Sequence, residues 1–120
     1  MGMFQERRSA TRIRAYRPVR LHQPNTPQVV ETLTKDLTAS GLRCLSPVLI
    51  PVGSDIGVEL VLSAGNEPVI CRGRSVWFRT IPASEQFEIG IAFSEESETI
   101  KRRLSSYLDR LLSRAAFVSI

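Results

Sequence analysis

Six arginines fall within the first twenty residues, and two of them, Arg8 and Arg12, stand four positions apart with Arg7 immediately before. A guanidinium presents a planar fork of N–H donors that can grip a phosphate, or the O6/N7 edge of guanine, in bidentate fashion. Further along, Asp36-x-Thr38-x-x-Gly41 supplies a carboxylate, a hydroxyl and a glycine in quick succession. The carboxylate can accept from the N1 and N2 hydrogens of guanine, and the hydroxyl can both donate and accept. The two segments together suit an anionic, guanine-bearing ligand.

The chain has 120 residues, 42% hydrophobic and 23% charged, the make-up of one soluble globular domain with one modest core. Its charge is lopsided: of the net +4, residues 1–20 carry +5 and the remainder about −1. A basic end of this kind attracts nucleic acid, an anionic membrane or a phosphorylated small ligand alike, or serves merely as a solubilising leader. A nucleic-acid barrel would interleave exposed aromatics with its basic residues, and only Tyr16 lies among these arginines. Nucleic acid is therefore the weaker reading.

Cys44 and Cys71 are far apart and belong to no Cys-x-x-Cys pair, so both are expected to be reduced, buried, small hydrophobes rather than zinc ligands or a redox couple. His22 is the only histidine, which rules out a histidine-based triad or metal cluster. No Gly-x-x-x-x-Gly-Lys loop is present either. The expectation is a non-enzymatic protein with no metal and no cofactor. No apolar run approaches the roughly 20 residues of a membrane span, and no signal-type h-region follows Met1, so a cytoplasmic location is expected.

The elements that would position the two motifs are legible from periodicity. Residues 13–21 alternate apolar and basic side chains as a first strand, with Pro18 interrupting it as at an edge or bulge. Val29 to Asp36 reads as a second strand and Leu42–Leu45 as a third, placing Asp36–Gly41 on the loop between them. Ile56–Leu62, Val69–Arg79 and Phe87–Phe93 complete six. The period then switches to helical, with Ile100, Leu104, Leu108, Leu111, Leu112 and Ala115 on one stripe. Ser94 or Ser97 can cap that helix, and Glu95, Glu96 and Glu98 sit where its dipole favours carboxylates. The expected organisation is a flexible basic arm at 1–12, a β-barrel at 13–94, a helix at 95–115 and a tail at 116–120. The apolar tail and the helix offer a surface for a homodimer.

With these residues in place the chain resembles the PilZ domains, which bind the bacterial second messenger cyclic di-GMP. Arg8-x-x-x-Arg12 is similar to that family's Arg-x-x-x-Arg element, and Asp36-x-Thr38-x-x-Gly41 to its Asp/Asn-x-Ser-x-x-Gly element, with threonine for serine. Gly41-Leu42-Arg43, Ser75-Val76-Trp77 and Ile89-Gly90-Ile91-Ala92-Phe93 resemble later stretches in the same order. The resemblance implies an all-β fold with a C-terminal helix, a six-stranded antiparallel β-barrel. It also implies a cyclic di-GMP receptor that signals to a downstream protein effector, with a scaffold that binds protein partners only as the alternative. By resemblance, Arg8 and Arg12, with Arg7 as a further donor, would grip phosphates and guanine edges. Asp36 would accept from a guanine, Thr38 would add a polar contact and Gly41 would serve through its backbone. Asp36 and Thr38 could instead close a turn, and Trp77 could stack on a base, although a mid-strand aromatic is expected in the barrel core.

Overall fold

Seven strands and one helix make up the residues that the computed structural model describes, 13–94 and 98–118, with side chains described as far as residue 113. They are β1 (Ile13–Arg14), β2 (Pro18–His22), β3 (Val29–Thr38), β4 (Gly41–Ser46), β5 (Asp55–Leu60), β6 (Val69–Thr80), β7 (Phe87–Phe93) and α1 (Glu98–Val118). Every strand pairing is antiparallel, and the order β3-β2-β5-β6-β7-β4 closes on itself through β3–β4 pairing. This is the expected six-stranded barrel with one extra short strand.

The extra strand comes from Pro18. The first expected strand is broken into β1 and β2, both of which pair with β3, Ile13 opposite Leu37 and Val19 opposite Thr32. Proline cannot donate to a ladder, so the backbone between the halves must find other partners. Thr34 provides them: its hydroxyl donates to the Ala15 carbonyl at 2.5 Å and accepts from the Arg17 N–H at 2.9 Å. The long strand β3 thereby holds β1 and β2 on one edge and β4 on the other.

Alternation fills the barrel. Val19, Leu21, Leu37, Leu42, Ile56, Val58, Leu60, Ile89 and Ile91 all point inward and are buried. Helix α1 packs against β1, β3 and β6 and adds Leu104, Tyr107 and Leu108 to the core. Leu112, expected on the same stripe, is 47% exposed, because the buried face follows Ile100, Leu104, Leu108 and Leu111 and leaves the next position to solvent. The helix runs on to Val118, past residue 115 where the periodicity had ended it. Cys44 and Cys71 are both buried. Burial, with a smaller contribution from the charge of Glu88, pushes the Cys44 thiol up to about 12, so it stays a neutral apolar filler.

Candidate functional site

The β3–β4 hairpin sets the geometry of the Asp36–Gly41 motif. Thr38 pairs with Gly41, Leu37 with Leu42 and Asp36 with Arg43. Asp36 and Thr38 therefore sit in β3 and Gly41 opens β4, where a loop had been expected; only Ala39 and Ser40 form the turn. Leu37 and Leu42 face the core, so Asp36, Thr38, Gly41 and Arg43 face outward. Thr38 closes the turn by accepting from the Ser40 N–H at 3.0 Å and donating to the Gly41 carbonyl at 3.4 Å. Glycine at 41 is required by space: a Cβ there would lie 2.3 Å from the Ile91 carbonyl oxygen of β7.

Asp36 faces outward yet is only 4% exposed, since Arg43 lies over it. Arg43 Nε donates to Asp36 Oδ2 at 2.7 Å and Nη2 donates to the same oxygen. The guanidinium also reaches a second carboxylate, Glu88 of β7, with Nη1 3.7 Å from Oε2. Glu88 is wholly buried on the outer wall, hydrogen bonded by Lys35 Nζ at 2.7 Å and Arg79 Nε at 2.5 Å. Arg43 thus ties the motif to a buried carboxylate shared by three cations. The hydrogen bond to Asp36 raises the pKa of Arg43 against the effect of burial, so this bridge stays cationic.

Burial alone would push the Glu88 carboxyl up, but the Lys35 and Arg79 hydrogen bonds, joined by the charges of Lys35 and Arg43, hold it below its ordinary value. A carboxyl depressed in the folded state binds protons more readily when unfolded. Its contribution to stability is therefore full above the ordinary carboxylate pKa and fades as pH falls through the lower, folded value. Glu88→Gln is expected to cost about 1–3 kcal/mol at pH 7, where three cations lose their anion, and to flatten the loss of melting temperature between pH 5 and about pH 3. Thermal melts across that range check it; equal acid slopes for variant and parent would refute it.

Trp77 lies outside the barrel, contrary to the expectation of core placement. Ser75 pairs with Ile91 but Trp77, two residues on, pairs with Gly90, so Val76 is the extra residue of a bulge. A bulge shifts the alternation by one and re-aims the side chain that follows. The indole consequently covers Gly90: a Cβ there would fall 2.3 Å from both Cε2 and Nε1. Beside it the wall has a shallow depression of about 150 Å³ lined by Asp36, Thr38, Gly41, Arg43, Trp77 and Gly90. An aromatic face, a carboxylate, a hydroxyl and a guanidinium thus converge on one patch, which suits a flat heterocycle with donors on its edge.

Arg7, Arg8 and Arg12 lie outside the described residues. The strand that follows them does not: Ile13 pairs with Leu37 and Arg14 with Asp36, so the described chain begins against the motif. Arg43, Lys35, Arg79 and Glu88 were missed by sequence reasoning. Arg43 had a usable signal, because a two-residue turn at Ala39-Ser40 forces Asp36 opposite Arg43. Among the described residues no group of three or more His, Cys, Asp or Glu is placed to hold a metal ion, and no helix is long and apolar enough to cross a membrane.

A family model described as PilZ domain matches residues 6–110. No curated protein matches significantly. Among solved structures, the inhibitor of motility MotI/DgrA of Bacillus subtilis is similar at TM-score 0.74 and 18% identity, over 89% of this chain and 52% of that one. YcgR of Escherichia coli in complex with c-di-GMP gives TM-score 0.76 and 14% identity, over 92% of this chain and 48% of that one. The PilZ domain of CeSA from a cellulose-synthesizing bacterium gives 0.63 and 17%, over 85% of this chain and 98% of that domain. The chain spans about half the length of MotI/DgrA and of YcgR.

Proposed function

This chain belongs to the PilZ domain family, and from that membership we propose that it is a non-enzymatic cyclic di-GMP receptor whose ligand lies across the outer wall of β3, β4, β6 and β7. The observation that supports the reading is β1: its pairing of Arg14 with Asp36 sets the chain that directly follows the Arg8-x-x-x-Arg12 element against the Asp36–Gly41 hairpin. Arg8 stands five positions before Ile13, a reach of at most about 18 Å. Both halves of the motif can then meet one dinucleotide.

The depression of about 150 Å³ is smaller than the roughly 300 Å³ at which pockets begin to enclose a ligand. The wall can seat a base but cannot surround two guanines and two phosphates, so the arm must supply the rest of the contact. In this reading Arg8 and Arg12, helped by Arg7, take phosphates and guanine O6/N7 edges. Asp36 accepts from a guanine edge while Arg43 fixes the carboxylate from its Oδ2 side, and the indole of Trp77 stacks on a base. Thr38 gives a hydroxyl at the hairpin end. Its role and that of Gly41 are chiefly to hold the hairpin: threonine keeps the hydroxyl that serine would supply, and Gly41 lets β4 meet β7.

Ordering a polar, arginine-rich segment on the ligand changes the surface at this wall, which a downstream protein effector can read. No cofactor is needed for such a switch. Trp77 is the only tryptophan, so its emission reports the site. Titration with cyclic di-GMP is expected to change that emission saturably, with GMP at equal concentration giving little response. An emission unmoved by cyclic di-GMP up to millimolar concentration would count against the reading.

A further inference from the structure

A groove beside α1 shares no lining residue with the depression at the hairpin, and the receptor reading does not use it. It runs between the helix and the β5–β6 connection, as two adjoining hollows of about 370 and 220 Å³ that share Leu62, Ser63 and Arg110. Along α1 the lining extends from Thr99 to Leu111, about 18 Å at 1.5 Å per residue. Arg17, Arg102, Arg103 and Arg110 line it, and no carboxylate does among the described residues. None of the four forms an ion pair with a described Asp or Glu.

Two of these guanidiniums are already fixed by backbone. Arg17 Nε donates to the Val61 carbonyl at 2.9 Å, and Arg103 Nη2 donates to the carbonyl of Glu67 at 2.5 Å. Each uses one of its five N–H donors in this way. The remainder are held in place with less side-chain entropy left to lose, which favours capture of an oxyanion. Leu62, Tyr107 and Leu111 give the floor an apolar strip between the charges.

We propose that this groove docks an acidic, extended segment of a partner protein, five or six residues long, with its carboxylates on Arg17, Arg102, Arg103 and Arg110. The length follows from the span, since an extended chain advances about 3.3 Å per residue. The chemistry follows from four cations spread along a narrow trough: a single small anion could satisfy only one or two of them, and a flat membrane could not enter between helix and hairpin. The inference does not depend on cyclic di-GMP being the ligand of the β3–β4 wall.

Fluorescein-labelled hexaglutamate is the probe, followed by anisotropy at low salt on the full chain. Saturable binding is expected, at least tenfold weaker in Arg102→Ala/Arg110→Ala and weakened by salt, with hexalysine giving none. The same variant is expected to leave the Trp77 response to cyclic di-GMP unchanged, so failure here is distinct from failure of the receptor reading. Both positions are exposed, and a melting temperature near the parent's shows the fold intact. Hexaglutamate binding that is absent, or that survives the double substitution, overturns the proposal. Stronger arginine-dependent capture of inorganic phosphate or of phosphatidylglycerol vesicles than of the peptide also overturns it.

Discussion

Calorimetry on Arg8→Ala and on Arg12→Ala is expected to return cyclic di-GMP affinities about 10- to 150-fold weaker than the parent's, the loss of one charge-assisted contact worth about 1.5–3 kcal/mol in each case. The magnitude rests on how little else can hold the phosphates. Apart from the exposed Arg14, which adjoins the arm, the cations near the hairpin are engaged, Arg43 with Asp36 and Glu88, and Lys35 and Arg79 with Glu88. Drawing any of them to a phosphate would leave a buried carboxylate short of partners, which is costly. The arm's arginines are the donors whose engagement costs least. Arg20→Ala is the control: its side chain pairs with Glu31 at 3.4 Å from β2, a strand outside the proposed contact, and its affinity is expected to match the parent's. Unchanged affinity in both Arg8→Ala and Arg12→Ala would remove the arm from the site.

Gly41→Ala is expected to cost about 1–3 kcal/mol of stability and to lower the melting temperature by about 5 °C or more. The added Cβ would sit 2.3 Å from the Ile91 carbonyl oxygen and 3.3 Å from the Ala92 Cα. Both obstacles are backbone, so no rotamer change relieves them and β4 must move away from β7. That shift would loosen the seam where Gly41 pairs with Ala92 and Arg43 with Gly90, which closes the barrel beside Asp36. The variant is therefore expected to weaken cyclic di-GMP as well, through the wall rather than through a lost contact. A melting temperature within about 1 °C of the parent's by scanning calorimetry would show that the seam tolerates a methyl and that the glycine has another purpose.

Much of the barrel was readable because a half-buried strand writes its burial in every second residue. Phe87-Glu88-Ile89-Gly90-Ile91-Ala92-Phe93 is such a strand, and its apolar set is the set that faces the core. Pro18 announced the break between β1 and β2. The outer wall was less legible for two reasons. Trp77 follows a bulge at Val76, and a single inserted residue reverses the inside–outside assignment without any local mark. Glu88 looks like an ordinary solvent-facing position of an alternating strand; only the pairing of β7 with β4 and β6 gathers Lys35, Arg43 and Arg79 around it. Strand order is a property of the closed barrel, and so is that cluster. The Asp36–Arg43 pair lies between these cases, fixed by the length of a two-residue turn.

The account turns on one dinucleotide touching the arm and the outer wall at once. Backbone amide NMR of the full chain during titration with cyclic di-GMP tests this most directly, with the indole N–H of Trp77 as an internal marker. The account predicts that resonances of residues 7–14, of 36–43 and of Trp77 shift together and saturate at the same ligand ratio. Shifts confined to one of these segments while the others stay fixed, or no shifts at all, would contradict it.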